Sequence, residues 1–231
     1  SLKPLCIQPD LSQICFQDFW QDVIQQSHAI ESLLQESWAL WEADSYQFLV
    51  LLFAALLAKK QVLLPPNRVS DLEKELAAQN IFFLQRQPLS SPQNQSIELN
   101  LDDAFLNQAQ LYFYTSGSTG QPKKIPRTLR QLLNEVQGLD ASFQLPEQAI
   151  AIATVSHQHI YGLLFKLLWP LASGRCFYQT QLAFPEDVAD IQKKLTALKL
   201  QNYVISSPAL LKRWTLDVLL QDCLKVYSSG G

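Results

Sequence analysis

Nine residues near the middle of the chain, TSGSTGQPK from Thr115 to Lys123, have the make-up of an anion cradle. Glycines at 117 and 120 let the backbone approach an anion closely, and the hydroxyls of Thr115, Ser116, Ser118 and Thr119 can donate to phosphate oxygens. Lys123 adds a mobile point charge. Lys124, Arg127 and Arg130 follow, so four of the eight residues from 123 to 130 are cationic in a chain whose net charge is −3. The chemistry such a loop supports is electrostatic: it holds a polyphosphate and stabilises the charge that develops on it. The Walker A loop, GxxxxGK[ST], begins in the same way but needs glycine five residues after Gly117, where this chain has Pro122. A flexible glycine–serine linker would lack the apolar run before the loop, and the Pro-Lys step and amphipathic stretch after it.

A loop of this kind needs a sheet edge to position it, and the rest of the chain supplies the elements. Strand-like and helix-like segments alternate, which predicts an α/β fold, doubly wound, with largely parallel sheets and flanking helices. Helices are expected at Ser12–Gln26, Ser45–Lys60, Val69–Asn80, Thr128–Phe143, Ile160–Ala172, Pro185–Leu198 and Pro208–Trp214. Strands are expected at Trp38–Trp41, Val62–Leu64, Ile81–Leu84, Leu111–Tyr114, Ile150–Thr154, Arg175–Tyr178, Tyr203–Ile205 and Leu224–Tyr227. The strand at Leu111–Tyr114 thus runs into the cradle and then into a helix, which places the loop, exposed, at the C-terminal edge of a sheet. The polar stretch from Gln85 to Asn100 is expected to be a surface loop with a partial subdomain break.

Composition narrows the class of protein. Hydrophobic residues make up 48% of the 231, ample for a sizeable core. The slightly acidic balance provides no global field for nucleic acid or an anionic membrane, so any polyanion site is local. The longest apolar run, Phe48–Ala58, is far short of the ~20 residues of a spanning helix and is expected to be a buried core helix. Cys6, Cys15, Cys176 and Cys223 are scattered, with no CxxC pair, which argues against a zinc site and for reduced thiols in the cytoplasm. The N-terminal SLKPLCIQPD lacks the pattern of a secretory signal.

The loop TSGSTGQPK resembles the phosphate-binding loop of the adenylate-forming superfamily, which includes acyl-CoA synthetases and nonribosomal peptide adenylation domains. The match runs residue for residue through Lys123, and then departs at Lys124, where glycine is usual. SYQFLVLLFAALLAKKQVLLPPN resembles an early helix and strand of that family, with Lys59-Lys60 where a glycine is usual. HIYGLLFKLLWPLASGRCF resembles its HxxG segment through His159 and Gly162, YVISSPALLKRW its apolar strand with a proline-led helix, and VYSSGG the start of its Gly-Gly turn.

The resemblance implies the following. Thr115, Ser116, Gly117, Ser118, Thr119, Gly120 and Lys123 would hold the triphosphate of ATP, assisted by Mg2+. His159 and Gly162 would lie where the acyl chain meets the adenylate, although a histidine at the start of an apolar helix can also simply cap it. Gly230 and Gly231 would begin the turn near the adenine and acyl group. The product would be an acyl-adenylate of a fatty or aromatic acid, then a thioester on CoA or on the phosphopantetheine of an acyl carrier protein. The chain corresponds to the N-terminal portion of such an AMP-binding domain. It lacks the later acidic segment, the hinge and the small lid domain, so by itself it is expected to be inactive. Two other readings stay open: an amino-acid adenylation domain, which would need an acidic residue for the amino group, and a non-catalytic nucleotide-binding or regulatory module of the same fold.

Overall fold

The structure is a computed structural model that describes residues 2–88, 101–115, 123–214 and 223–229. The chain divides into two units, one made of residues 1–16 and 135–231 and the other of residues 17–134. The polar stretch 85–100 falls within the second unit as far as residue 88, and its remainder lies outside the described residues.

The chain opens with two strands that the hydrophobic pattern did not predict, β1 (Pro4–Ile7) and β2 (Gln13–Cys15). They pair antiparallel across a turn that Asp10 organises, its carboxylate accepting from the Ser12 amide at 2.9 Å and the Ser12 hydroxyl at 2.6 Å. The helix expected at Ser12–Gln26 therefore starts later, as α1 (Phe16–Glu31). The first four residues of the expected helix instead belong to the turn and β2, because Ser12 and its neighbours find hydrogen bonds in the turn that a first helical turn would leave unmade.

The second unit continues with β3 (Ser37–Ala39), α2 (Ser45–Leu57), β4 (Gln61–Leu64), α3 (Ser70–Ala78), β5 (Phe82–Phe83), α4 (Asp103–Gln108), β6 (Gln110–Thr115) and β7 (Lys123–Thr128). Their sheet has the order β5-β3-β4-β6-β7, parallel except for the last pair. Helix α2 is apolar on every side, and eleven of its thirteen residues are buried, the core helix expected from Phe48–Ala58. Asp44 caps it, accepting from the Tyr46 and Gln47 amides at 2.8 and 3.0 Å. Just past its C-cap Ala58 stands Lys59, whose φ of 57° lies in the left-handed region that glycine enters without strain. Short α4 was not expected; Asp102 caps it by accepting from the Phe105 amide.

The remaining elements are α5 (Leu129–Phe143), β8 (Ile150–Ala153), α6 (Ile160–Gly162), a π-helical segment (Leu163–Leu168), α7 (Trp169–Ser173), β9 (Cys176–Tyr178), α8 (Pro185–Ala197), β10 (Asn202–Ser206), α9 (Pro208–Leu211) and β11 (Cys223–Ser228). The first unit's sheet has the order β11-β10-β8-β9-β1-β2, parallel throughout except for edge strand β2. Each of the eight expected strands is present with shifted ends. One face of this sheet packs Ile7, Ile150, Ile152 and Val204 against Val188, Ile191 and Leu195 of α8.

Among the described residues no helix is long and apolar enough to cross a membrane, and all four cysteines are free.

Candidate functional site

In the five-stranded sheet β5, β3, β4 and β6 run parallel, so their C-terminal ends share one edge, and the cradle leaves from that edge at Thr115. The expected strand–loop–helix layout needs correction. Residues 123–128, expected to precede or begin a helix, form β7, which pairs antiparallel with β6 from Gln110↔Thr128 to Thr115↔Lys123. Helix α5 begins only at Leu129. The loop thus joins the two strands of a β-hairpin, and β7 separates it from the start of α5. Pro126, which cannot donate to a ladder, is tolerated because β7 is an edge strand. The hairpin brings the two ends of the cradle together, since Thr115 and Lys123 are backbone partners. Ser116, Gly117, Ser118, Thr119 and Gly120 lie outside the described residues, as do the side chains of Thr115 and Lys123 and the whole of Gly230 and Gly231.

Lys124, which stands where the family usually has glycine, donates from Nζ to Gln79 Oε1 at 3.1 Å and sits 6.0 Å from the centroid of the Tyr114 ring. Arg130 is engaged with Asp103, and Arg127 donates to the Pro126 carbonyl at 3.0 Å. Burial pushes the Tyr114 phenol up to about 12, with a smaller contribution from the charge of Glu75.

The second cluster of candidate residues lies at the C-terminal edge of the six-stranded sheet. From β8 the chain crosses to β9 on one side, then through α8 to β10 on the other side of β8, and on to β11. The connections leaving β8 and β10 therefore diverge, which makes the gap beyond their C-terminal ends a topological switch point, where open α/β sheets bind ligands. Thr154 and Ser206 face each other there, with Thr154 Oγ1 3.0 Å from Ser206 Oγ. Gln181 Nε2 donates to the Thr154 carbonyl at 3.0 Å. Sequence reasoning missed Thr154, Ser206 and Gln181, because only the strand order reveals that residues 52 positions apart share a crevice.

His159 follows β8 on this edge. It is the N-cap residue of α6 (φ −99°, ψ 148°), its carbonyl accepts from the Leu163 amide at 2.9 Å, and its side chain makes no cap hydrogen bond and is exposed. The capping alternative thus applies to its backbone only. His157, two residues earlier, is 2% exposed. Of the two histidines, His159 is the one a ligand can reach.

Gly162 acts through packing. A Cβ built there would lie 2.0 Å from the Ser156 carbonyl oxygen and 3.1 Å from the His157 amide nitrogen. The absent side chain lets α6 press against the turn that presents His159. Gly162→Ala is expected to lower stability by about 1–3 kcal/mol through forced backbone displacement, read as a lower urea midpoint; an unchanged midpoint would show that the turn yields freely.

Beyond Gly162 the helix widens, and the Trp169 amide bonds back to the Leu164 carbonyl, five residues earlier. The cause is Pro170 at the start of α7, which offers no amide and would press its ring on the carbonyl of Lys166 in a regular helix. Gly174, with φ 69°, ends the element. The expected helix at Ile160–Ala172 is therefore one run with a wider middle. Lys166, fully buried in that middle, places Nζ 3.4 Å from the Gln179 carbonyl.

This run and the sheet enclose six aromatic rings. Tyr161 and Phe165 have centroids 4.7 Å apart, Phe165 and Tyr227 5.6 Å, Phe143 and Tyr227 4.7 Å, and Trp169 and Tyr203 5.5 Å. A polar clamp fixes one side. Trp169 Nε1 donates to Asp140 Oδ1 at 2.9 Å, and Arg175 donates to the same oxygen at 2.6 Å and to the Leu145 and Pro146 carbonyls at 2.6 and 3.0 Å. Among the described residues no group of three or more His, Cys, Asp or Glu is placed to hold a metal ion.

The family model described as AMP-binding enzyme matches residues 50–202 of the chain. The medium-chain-fatty-acid–[acyl-carrier-protein] ligase of Moorena producens (strain JHB) is 36% identical over 72 residues, 31% of this chain and 12% of that protein. The mitochondrial malonate–CoA ligase of Mus musculus is 32% identical over 83 residues, 36% of this chain and 14% of that protein. Among solved structures, the O-succinylbenzoate coenzyme A synthetase of Bacillus subtilis in complex with AMP superposes with a TM-score of 0.77 at 15% identity, over 99% of this chain and 64% of that one. That likeness is one of fold. The chain spans less than two thirds of that enzyme, and the matched stretches cover a far smaller share of the two ligases.

Proposed function

The chain belongs to the AMP-binding enzyme family, and from that premise we propose that the protein carrying it activates a small-molecule carboxylic acid with ATP. In the first step a carboxylate oxygen attacks the α-phosphorus, the bond to the β-phosphate bridge breaks, and pyrophosphate leaves an acyl-adenylate behind. In the second, a thiol of CoA or of a carrier protein's phosphopantetheine displaces AMP and forms a thioester. The observation that carries this reading is the TSGSTGQPK loop set at the tip of the β6–β7 hairpin, on the C-terminal edge of a parallel sheet.

The barrier to the first step comes from joining two anions and from charge gathering on the leaving phosphates. Thr115, Ser116, Gly117, Ser118, Thr119, Gly120 and Lys123 answer it with hydroxyls, amides and one ammonium around the β- and γ-phosphates. None of them needs to move a proton. Magnesium would neutralise further phosphate charge; the described residues provide no acidic cluster for it, and its ligands are assigned to none of them. His159, whose side chain is exposed, would meet the junction of acyl group and adenylate, with Gly162 supporting its turn, and Gly230 and Gly231, assigned by resemblance to the turn near the adenine and acyl group, lie outside the described residues. Four free cysteines fit a cytoplasmic protein.

The test is ATP–pyrophosphate exchange by the full-length protein with a panel of aliphatic and aromatic acids. Exchange that depends on one of the acids is the expected result. Binding of ATP with no exchange for any acid would replace this reading by a non-catalytic nucleotide-binding module.

A further inference from the structure

A cavity of about 320 Å³ lies in the first unit, within the range of about 300–1,000 Å³ that small-molecule sites occupy. Its apolar floor is made by Pro4, Ile7, Ile150, Cys176 and Leu200, the last four of which share the face of the six-stranded sheet on which α8 packs. Pro4, Ile150 and Cys176 are the first residues of β1, β8 and β9, and Leu200 stands just before β10. These strands run parallel, so the cavity lies toward their N-terminal ends, and the Thr154–Ser206 switch point lies at the C-terminal ends. It is a different place from the site of the proposed reaction.

The rim of the cavity is polar and carries one charge of each sign. Lys3 Nζ donates to the Glu147 carboxylate, and the side chains of Gln13 and Gln148 complete the polar part of the lining. The two charged partners are not equally held. The Lys3 side chain is 36% exposed and that of Glu147 67%. A Cβ added to Gly174 would meet Lys3 Nζ at 2.9 Å and Cε at 3.5 Å, so the lysine stem lies against the bare backbone there. Lys3 is thus seated on the cavity wall, whereas Glu147 reaches it from the solvent side. An exposed ion pair of this kind contributes little to stability, and a second carboxylate can take the place of Glu147 at small cost. Cys176 adds no opposing negative charge. Burial pushes its thiol up to about 11, against a smaller effect of the Lys3 charge, and Sγ donates to the Pro4 carbonyl at 3.1 Å.

We infer that this cavity is a second binding site, for an aliphatic monocarboxylate whose head accepts from Lys3 and from the Gln13 and Gln148 amides and whose tail lies along Ile7, Ile150 and Leu200. Charge decides the head group, because the better-held charge at the cavity is the ammonium. The floor decides the tail, since each methylene laid on it leaves water. The inference does not depend on the acid-activating reading, and either can fail without the other.

Cys176 lies in the floor and provides a local reporter. The full-length protein, without ATP, is treated with N-ethylmaleimide over a series of octanoate concentrations, and peptide mass spectrometry follows Cys176 alongside Cys223, a half-buried thiol of β11 outside the cavity. Octanoate at tenfold its dissociation constant is expected to slow modification of Cys176 about tenfold, because only unoccupied protein reacts, and to leave Cys223 unchanged. Lys3→Gln is expected to weaken octanoate binding by about tenfold or more, the worth of a hydrogen bond to a charged group. Octan-1-ol, which shares the tail, is expected to bind both forms alike. Glu147→Gln removes the competing carboxylate and is expected to tighten octanoate binding about two- to fivefold. A gain in affinity cannot come from a folding defect, so the second variant guards the first. Failure of octanoate to protect Cys176, equal protection of the two thiols, or better protection by octylamine than by octanoate overturns the inference. An unchanged affinity in Lys3→Gln, or no gain in Glu147→Gln, overturns it as well.

Discussion

Changing Lys123 to alanine in the full-length protein is expected to lower kcat/KM for acid-dependent ATP–pyrophosphate exchange by about 10²–10³-fold, the usual cost of removing one donor aimed at developing charge. The backbone argument for this residue is specific. Lys123 is the first residue of β7 and the ladder partner of Thr115, so the hairpin fixes its Cα at the mouth of the cradle on the C-terminal edge of the sheet. A charge anchored there acts on the leaving pyrophosphate, and the loss should fall mainly on kcat. Lys124→Ala is the control. Its ammonium is engaged with Gln79, and its removal should cost far less than that of its neighbour. Equal losses for the two variants would show that the hairpin needs only a general positive field. Unchanged exchange in Lys123→Ala would remove that residue from the machinery.

The largest effect on stability is expected at Arg175. Its side chain is 6% exposed and joins Asp140 of α5 to the Leu145 and Pro146 carbonyls, while its guanidinium lies 5.7 Å from the centroid of Trp169. Arg175→Met keeps most of the volume and strands all three acceptors. Breaking a buried charge pair costs about 3–5 kcal/mol, and because the Asp140 side chain is 45% exposed and can turn to water, about 2–4 kcal/mol is expected here. Urea unfolding measures it, and a midpoint within error of the unaltered protein would contradict the clamp.

The clamp also sets a pH dependence. The hydrogen bond from Arg175 holds the Asp140 carboxyl below its ordinary value; burial opposes the shift, and the Trp169 hydrogen bond adds to it. A lowered carboxylate stabilises the fold fully above its unfolded value of about 3.9 and ceases to do so as pH falls through its lower folded value. The stability difference between the two proteins is therefore expected to be constant near neutrality and to shrink only below that range.

Much of this protein is legible one segment at a time. The candidate phosphate loop at Thr115–Lys123 stands out because glycines, hydroxyls and a lysine that are to wrap one anion must be consecutive. The apolar stretch around Phe48–Ala58 could only be a buried helix, and Asp44 marks its start. Strands such as β8 and β10 read correctly for the same reason, since a strand buried on both faces is a short run of β-formers whatever it pairs with. Where local rules failed, a partner distant in sequence had decided the matter. KKIPRT shows too little alternation to read as a strand, and becomes one because β6 provides a ladder. Gln13–Cys15 reads as the start of a helix until β1 pairs with it.

What the sequence determined by itself is thus the α/β class and the family, and it proposes the residues of the phosphate loop, all carried by contiguous segments. Tertiary structure alone decided that the cradle closes a hairpin instead of opening a helix. It alone decided that β8 and β10 stand side by side, with Thr154 against Ser206 at the switch point. It also gathered the rings of Tyr203 and Tyr227 beside Trp169 in one aromatic cluster. The physical reason is that strand order and ring packing are properties of pairs of distant residues, and no local pattern of hydrophobicity or turn chemistry encodes them.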